Sequence, residues 1–205
     1  MKNVIVRLAS LLVIVAVCVS VLASCSKKIE EIPIEKVAYY LVEMDVRDYG
    51  TIEMTLVRSA APITVDNFVQ LALNDFYDGL TFVRAQKGFV IQGGKPSDEV
   101  EATMTPIPGE FFSNGFSKNT IEHAPGVISM ARTQDPDSAT SQFFITIGDA
   151  TYLDGNYAAF GYVDDESMDI VYAIAEDMFA YGDPDMGFVY DVSRQPVITD
   201  VRVIP

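Results

Sequence analysis

The chain has 205 residues, of which 49% are hydrophobic, 21% charged and 11% aromatic; this suits one or at most two domains with a sizeable core and excludes a disordered or low-complexity chain. Fourteen Lys and Arg against 29 Asp and Glu give a formal charge of −15, a poor match to phosphates, so no nucleic-acid partner is expected. Two Cys and one His cannot make a disulfide scaffold and leave little material for a zinc site, so no metal or cofactor is expected.

In chain order, Lys2 and Arg7 precede a nearly all-aliphatic run from Leu11 to Leu22, and Leu22-Ala23-Ser24-Cys25 closes it. A basic start, an apolar stretch and small residues before a cut describe a secretory signal peptide. Leu-Ala-Ser-Cys also resembles a bacterial lipobox, whose Cys carries a diacylglycerol and begins the mature protein. That reading divides the chain into a lipoprotein signal peptide over 1–24, lipidated Cys25 with a tether to residue 36, and one domain over 37–205. Two others stay open: an uncleaved membrane helix, because Val4 to Ala23 is almost long enough to span, and an ordinary signal with a coincidental Cys. In the lipobox reading Cys18 leaves with the signal. Loss of Lys2 and Arg7 without any acid takes the charge from −15 to −17. An anionic bilayer repels such a body, so the membrane is touched through the lipid alone. The location is then extracytoplasmic.

Val37–Val46 is rich in β-branched and aromatic residues, Asp48-Tyr49-Gly50 is a turn signal, and Thr51–Leu56 alternates; together they predict a hairpin. Pro62 opens a helix, with Val65, Phe68, Val69 and Ala72 at helical spacing and Asn74 to Gly79 ending it. Further strands are predicted at Leu80–Arg84, Phe89–Gln92, Gly126–Met130, Gln142–Ile147, Ala158–Val163 and Val197–Val203. A second helix is predicted over Ser167–Asp177, with Ile170, Ala173 and Ile174 on one face. Eight short strands with two helices predict an antiparallel barrel or sandwich. The long connections Lys95–Ile121 and Asp177–Pro196 are natural places for binding residues.

Few residues offer chemistry. His123, beside Ala124-Pro125-Gly126, reads as a turn or core hydrogen-bonding residue rather than a catalyst. Ser141 lacks a Gly-x-Ser-x-Gly elbow, and Gly93-Gly94 lacks the Gly-Lys-Ser/Thr of a phosphate loop. Asp135, Asp137, Asp164, Asp165, Asp183 and Asp185 lack calcium-loop spacing and read as solvated loop acids. Arg84 stands close to Phe89, Val90 and Gln92, and Phe143-Phe144 follows Ser141-Gln142. An apolar cleft with one Arg and a Gln to hold it would bind a polypeptide segment. Periodicity alone makes Arg84 a surface charge and the aromatics core.

The run Phe82-Val83-Arg84-Ala85-Gln86-Lys87-Gly88-Phe89-Val90-Ile91-Gln92-Gly93-Gly94 resembles the cyclophilin signature of Phe-His-Arg, Gly-Phe-Met and Gln-Gly-Gly. Ile128-Ser129-Met130-Ala131-Arg132 is similar to the family's Leu-Ser-Met-Ala, and Ser141-Gln142-Phe143-Phe144-Ile145 to its Ser-Gln-Phe-Phe-Ile. Asn67-Phe68, Leu153-Asp154-Gly155 and Phe160-Gly161 fit as well, in family order across almost the whole mature chain. The chain is identified as a member of the cyclophilin-type peptidyl-prolyl cis–trans isomerases. The resemblance implies a mainly β fold, a closed eight-stranded antiparallel β-barrel with two capping α-helices. It implies a monomer acting on proline-containing segments of exported proteins.

It also implies roles. Arg84 takes the place of the family's donor and Gln92 orients it. Phe89, Val90, Phe144 and Leu153 line the proline pocket. Ala131 and Thr133 flank the groove for the residue before proline, Gln142 bonds the substrate backbone, and Tyr157 stands where the family commonly has a His. Three positions depart from the pattern: Val83 for His, Val90 for Met, and Tyr152 where many relatives have Trp. That Trp is associated in the family with cyclosporin binding, so weak inhibition is implied. A weakly active or inactive peptide-binding chaperone on the same fold is the alternative function, and a purely structural surface lipoprotein is a third. Segment Asp177–Asp191, with Tyr181, Phe188 and Tyr190, resembles no family motif; a specificity loop and a solvated excursion are both open.

Overall fold

Every strand predicted from alternation is present in the computed structural model, which describes residues 37–204. The signal peptide, Cys25 and the tether to residue 36 lie outside the described residues. Strands β1 (Tyr40–Val46) and β2 (Gly50–Leu56) form the hairpin, paired from Tyr40↔Leu56 to Val46↔Gly50. Asp48 takes a positive φ of 68° in the turn between them. The remaining strands are β3 (Phe82–Gln86), β4 (Val90–Gly93), β5 (Val127–Met130), β6 (Phe143–Thr146), β7 (Ala159–Val163) and β8 (Ile198–Ile204). They make one eight-stranded sheet in the order β3-β4-β6-β5-β7-β2-β1-β8, with antiparallel pairing throughout.

The expected closed barrel is corrected to an open, curled sheet. Strands β3 and β8 are its two edges, and no ladder joins them. They meet only through an isolated bridge, Thr81↔Val197, beside the start of each strand. The physical reason lies in the connections: Pro196 has no N–H to donate, and Phe82 N–H donates to its carbonyl at 2.9 Å just before β8 begins. The ladder therefore stops after a few bonds.

Alternation sends Val42, Met44, Ile52, Met54, Leu56, Ile91, Ile128, Phe143, Ile145 and Phe160 into a single core. Helix α1 (Pro62–Leu73) lays Val65, Phe68, Val69 and Ala72 on it, as predicted. Phe68 meets Tyr77, Phe143 and Phe160 at ring-centroid distances of 4.8, 5.8 and 5.5 Å. The last α-helix, α3 (Met168–Phe179), starts one residue later and ends two residues later than predicted, and its buried face is Val171, Ile174, Ala175 and Met178. Ala173 is exposed, so the predicted face was rotated by about one residue, or ~100°. A four-residue helix, α2 (Asp98–Glu101), was not predicted; Ser97 caps it. Among the described residues, no helix is long and apolar enough to cross a membrane.

Helix α1 has Ala61 at its N-cap, which offers no side-chain acceptor. Glu110, 46 residues away and 2% exposed, does the capping instead: its two carboxylate oxygens accept the N–H groups of Ile63 at 3.0 Å and Thr64 at 2.7 Å. An anion there also suits the positive end of the helix dipole. Glu110→Ala leaves the buried Thr64 N–H without its acceptor and strips the cap from Ile63 N–H, and is expected to cost about 1–3 kcal/mol in denaturant unfolding; an unchanged midpoint would contradict this capping role.

Candidate active site

Strict alternation from buried Phe82 would point Val83 outward and Arg84 into the core. The structure prevents this with a register shift between Phe82 and Arg84: Phe82 pairs with Gly93, yet Arg84 pairs with Gln92. Val83 is the extra residue of a β-bulge, a device that re-aims the side chains beyond it. Directly opposed residues share a face of the sheet. Arg84, Gln92, Phe144 and Ser129 are therefore one row across β3, β4, β6 and β5. The row beside it, Ala85, Ile91, Ile145 and Ile128, is core. Arg84 and Phe144 thus lie on the outer face of the sheet. Val90 shares that face, two residues from Gln92.

The Arg84 guanidinium has five N–H donors. Nε donates to the Met186 carbonyl at 2.7 Å, one Nη1–H to Gln92 Oε1 at 3.3 Å, and one Nη2–H to Gln86 Oε1 at 2.5 Å. One N–H remains on each Nη. The guanidinium carbon lies 5.8 Å from the Phe89 ring and 5.5 Å from the Phe188 ring, both cation–π distances. Burial lowers its pKa from the ordinary Arg value, opposed chiefly by Asp183; a guanidinium stays a cation at any physiological pH all the same.

Gln92 is fixed by chemistry at both ends. Arg84 can only donate, so Gln92 turns its oxygen to it. Gln92 Nε2 then donates to Gln142 Oε1 at 3.1 Å, and Gln142 Nε2 to Glu101 Oε1 at 2.6 Å. The relay runs from a cation to a carboxylate with every bond polarised the same way, which strengthens each of them. The apolar side of the site is equally linked. Tyr152 stacks on Phe89 at 5.6 Å, and Tyr157 meets Phe144 edge-on at 5.8 Å. Arg132 lies over Tyr157 at 4.5 Å while donating to the Asn156 carbonyl.

Phe144 rests on His123, ring to ring at 6.0 Å. His123 is wholly buried, as a core hydrogen-bonding residue should be. Its Nδ1 lies 2.8 Å from Asp154 Oδ1 and its Nε2 3.0 Å from Ser129 Oγ. A carboxylate only accepts, so Nδ1 carries the proton and Nε2 accepts the Ser129 hydroxyl. The order Ser, His, Asp is that of a nucleophilic triad, but Ser129 is 0% exposed and reaches no substrate. The three residues instead fasten Phe144 and the turn Thr151–Leu153, whose next residue is Asp154.

Seven of the expected site residues therefore lie together: Arg84, Phe89, Gln92, Gln142 and Tyr152 are linked side chain to side chain, and Phe144, opposite Gln92 in the sheet, meets Tyr157. Ala131 joins it through its N–H, which donates to the Gln142 carbonyl at 2.9 Å. Leu153 is half-buried in the turn between Tyr152 and Asp154. Thr133 lies in an exposed loop, its hydroxyl bonded to Ser138 Oγ at 2.8 Å and its carbonyl accepting Arg132 Nη1–H at 2.8 Å. Sequence reasoning gave no role to Gln86, Glu101, Arg132 or Met186, although Gln86 and Arg132 stand within quoted motifs, and it named Phe188 only in the segment left open as a specificity loop or a solvated excursion. The loop acids are not merely solvated either: Asp137 accepts Gly109 N–H and Asn114 Nδ2, and these bonds lower its pKa.

The family described as cyclophilin type peptidyl-prolyl cis-trans isomerase/CLD matches residues 41–203. The chain belongs to that family, and it is a peptidyl-prolyl cis–trans isomerase. It is similar to a peptidyl-prolyl cis-trans isomerase of Acinetobacter baylyi, 38% identical over 164 residues that cover 77% of this chain and 81% of the relative. It is 41% identical over 128 residues to peptidyl-prolyl cis-trans isomerase B of Bacillus subtilis, covering 62% and 83% of the two chains. A Cryptosporidium parvum cyclophilin structure shares the fold with a TM-score of 0.66 at 23% identity, over 82% of this chain and 98% of the other.

Proposed function

We propose that Arg84 is the catalytic donor, acting on proline-containing segments of exported proteins. Resonance gives the X–Pro C–N bond a barrier of order 18–20 kcal/mol. As the bond twists, the prolyl nitrogen loses that resonance and gains a localised lone pair. A fixed cation beside it lowers the twisted state and not the planar ones, and each ~1.4 kcal/mol of such difference gives a tenfold faster exchange. The observation that carries the reading is the state of the guanidinium: three donors are engaged with the protein, and one N–H on each Nη remains for substrate. Phe89 and Leu153 supply the apolar surface for the ring, with Phe144 and Val90, 5% and 2% exposed, backing it. Ala131 and Thr133 flank the residue before proline, and Gln142 meets the substrate backbone. The cleavage pattern before Cys25 and the net charge favour an enzyme held by its lipid on the outer side of a bacterial membrane, and the architecture favours a monomer. A cis/trans exchange measurement on an Ala-Pro peptide with the full chain in detergent tests this. Accelerated exchange is expected. Saturable binding without acceleration would replace the reading with a peptide-binding chaperone, and no binding would leave a structural lipoprotein.

A further inference from the structure

The segment Asp183–Val189 lies outside the motifs that carry the family resemblance, yet it runs along β3, the edge strand that carries Arg84. Ala85 N–H donates to the Gly187 carbonyl at 2.9 Å, and Val189 N–H donates to the Val83 carbonyl at 2.9 Å. Arg84 and Phe188 are opposed across this short antiparallel bridge. One residue folds the segment. Asp183 Oδ1 accepts the N–H groups of Met186 at 2.8 Å and Asp185 at 3.1 Å, and Oδ2 accepts that of Phe188 at 2.7 Å. Its own N–H donates to the Phe188 carbonyl at 2.9 Å. Gly187 sits at φ +77°, where a Cβ would stand 2.1 Å from the Ala85 carbonyl oxygen, so only glycine allows the close approach.

The segment brings two groups to Arg84 that the rest of the sheet lacks: the Met186 carbonyl on Nε and the Phe188 ring beside the guanidinium. Val83, at the bulge, offers Arg84 no polar side chain. Without the segment the side chain keeps only Gln92, Gln86 and the Phe89 ring, and its long stem regains rotamers that have to be frozen in every catalytic cycle. We propose that Asp183–Val189 is a positioning element of the isomerase site, holding the Arg84 guanidinium in its working orientation through Met186 O and Phe188. The inference rests on the reading of Arg84 as donor.

The test uses the full chain with Gly187→Ala, which drives the segment off β3, and a Phe188 series of Ala, Leu and Tyr. Three quantities are read: kcat and KM separately, the Arg84 Nε–Hε resonance assigned by its loss in Arg84→Ala, and the melting temperature. In Gly187→Ala and Phe188→Ala, kcat is expected to fall about tenfold with KM within about twofold, and the resonance to move toward that of a free arginine. Phe188→Tyr keeps the ring face and retains kcat, whereas Phe188→Leu keeps only bulk and does not. Unchanged kcat with a displaced resonance overturns the proposal, as does lost kcat with the resonance in place or full activity in Phe188→Leu. If Gly187→Ala does not fold, the Phe188 series decides. A wild type that never accelerates exchange refutes the donor reading itself and this inference with it, an outcome distinct from an active wild type with indifferent variants.

Discussion

Arg84→Ala is expected to lower kcat/KM by about 10²–10³, the range found when a preorganised donor to a developing charge is removed. Peptide affinity is expected to change by less than about threefold, because the proposed reading rests the ring on Phe89, Val90, Phe144 and Leu153 rather than on the guanidinium. Arg84→Lys keeps a charge but not the planar fork that engages Met186 O, Gln92 and Gln86 together. It is expected to fall between wild type and Ala. A protease-coupled prolyl assay with parallel binding measurements checks both, and a variant with wild-type kcat/KM would contradict the donor role.

The second large effect concerns His123. His123→Ala leaves Asp154 Oδ1 and buried Ser129 Oγ without their ring partner and opens a cavity under Phe144. The expected cost is about 2–4 kcal/mol in denaturant unfolding. The pH dependence has a definite sign. Burial, opposed by the Asp154 hydrogen bond, holds the imidazole below the ordinary value of 6.5. The unfolded chain therefore takes up the proton first as pH falls. The stabilisation from neutral His123 is complete above about 6.5 and is lost as pH drops from there through the lower folded value. Wild type is expected to lose stability against His123→Gln over that interval; a constant difference between pH 7.5 and 5.5 would contradict it.

Much of the fold was legible because its strands carry a clean period of two, and one face of each enters a single core. Val42, Met44, Ile52, Met54 and Leu56 show this in the first hairpin, and Val65, Phe68, Val69 and Ala72 show the helical counterpart in α1. Closure was not legible: alternation says which residues face inward and nothing about where a ladder stops, here at Pro196. Helix α2 carries three acids and no buried residue, so it had no amphipathic signature. The site was legible where short motifs fix both residue and strand, as for Arg84, Gln92, Gln142 and Phe144. Periodicity made Arg84 a surface charge, but nothing in Phe82-Val83-Arg84 announces the bulge that sets it on the outer face. The partners of Arg84 across the fold were invisible for another reason. Met186 and Phe188 lie about a hundred positions further along the chain, and the key acceptor is a backbone carbonyl, which every residue possesses. Glu101 is likewise joined to Arg84 only through two intervening amides.

The most direct measurement is the cis/trans exchange rate of an Ala-Pro peptide within the saturated complex, read by NMR for wild type and Arg84→Ala. At saturation the rate reports on the bound peptide alone and affinity drops out. The account predicts fast exchange in the wild-type complex and a rate lower by about two orders of magnitude in the variant. Equal rates in the two complexes would show that the guanidinium does not act on the twisting bond.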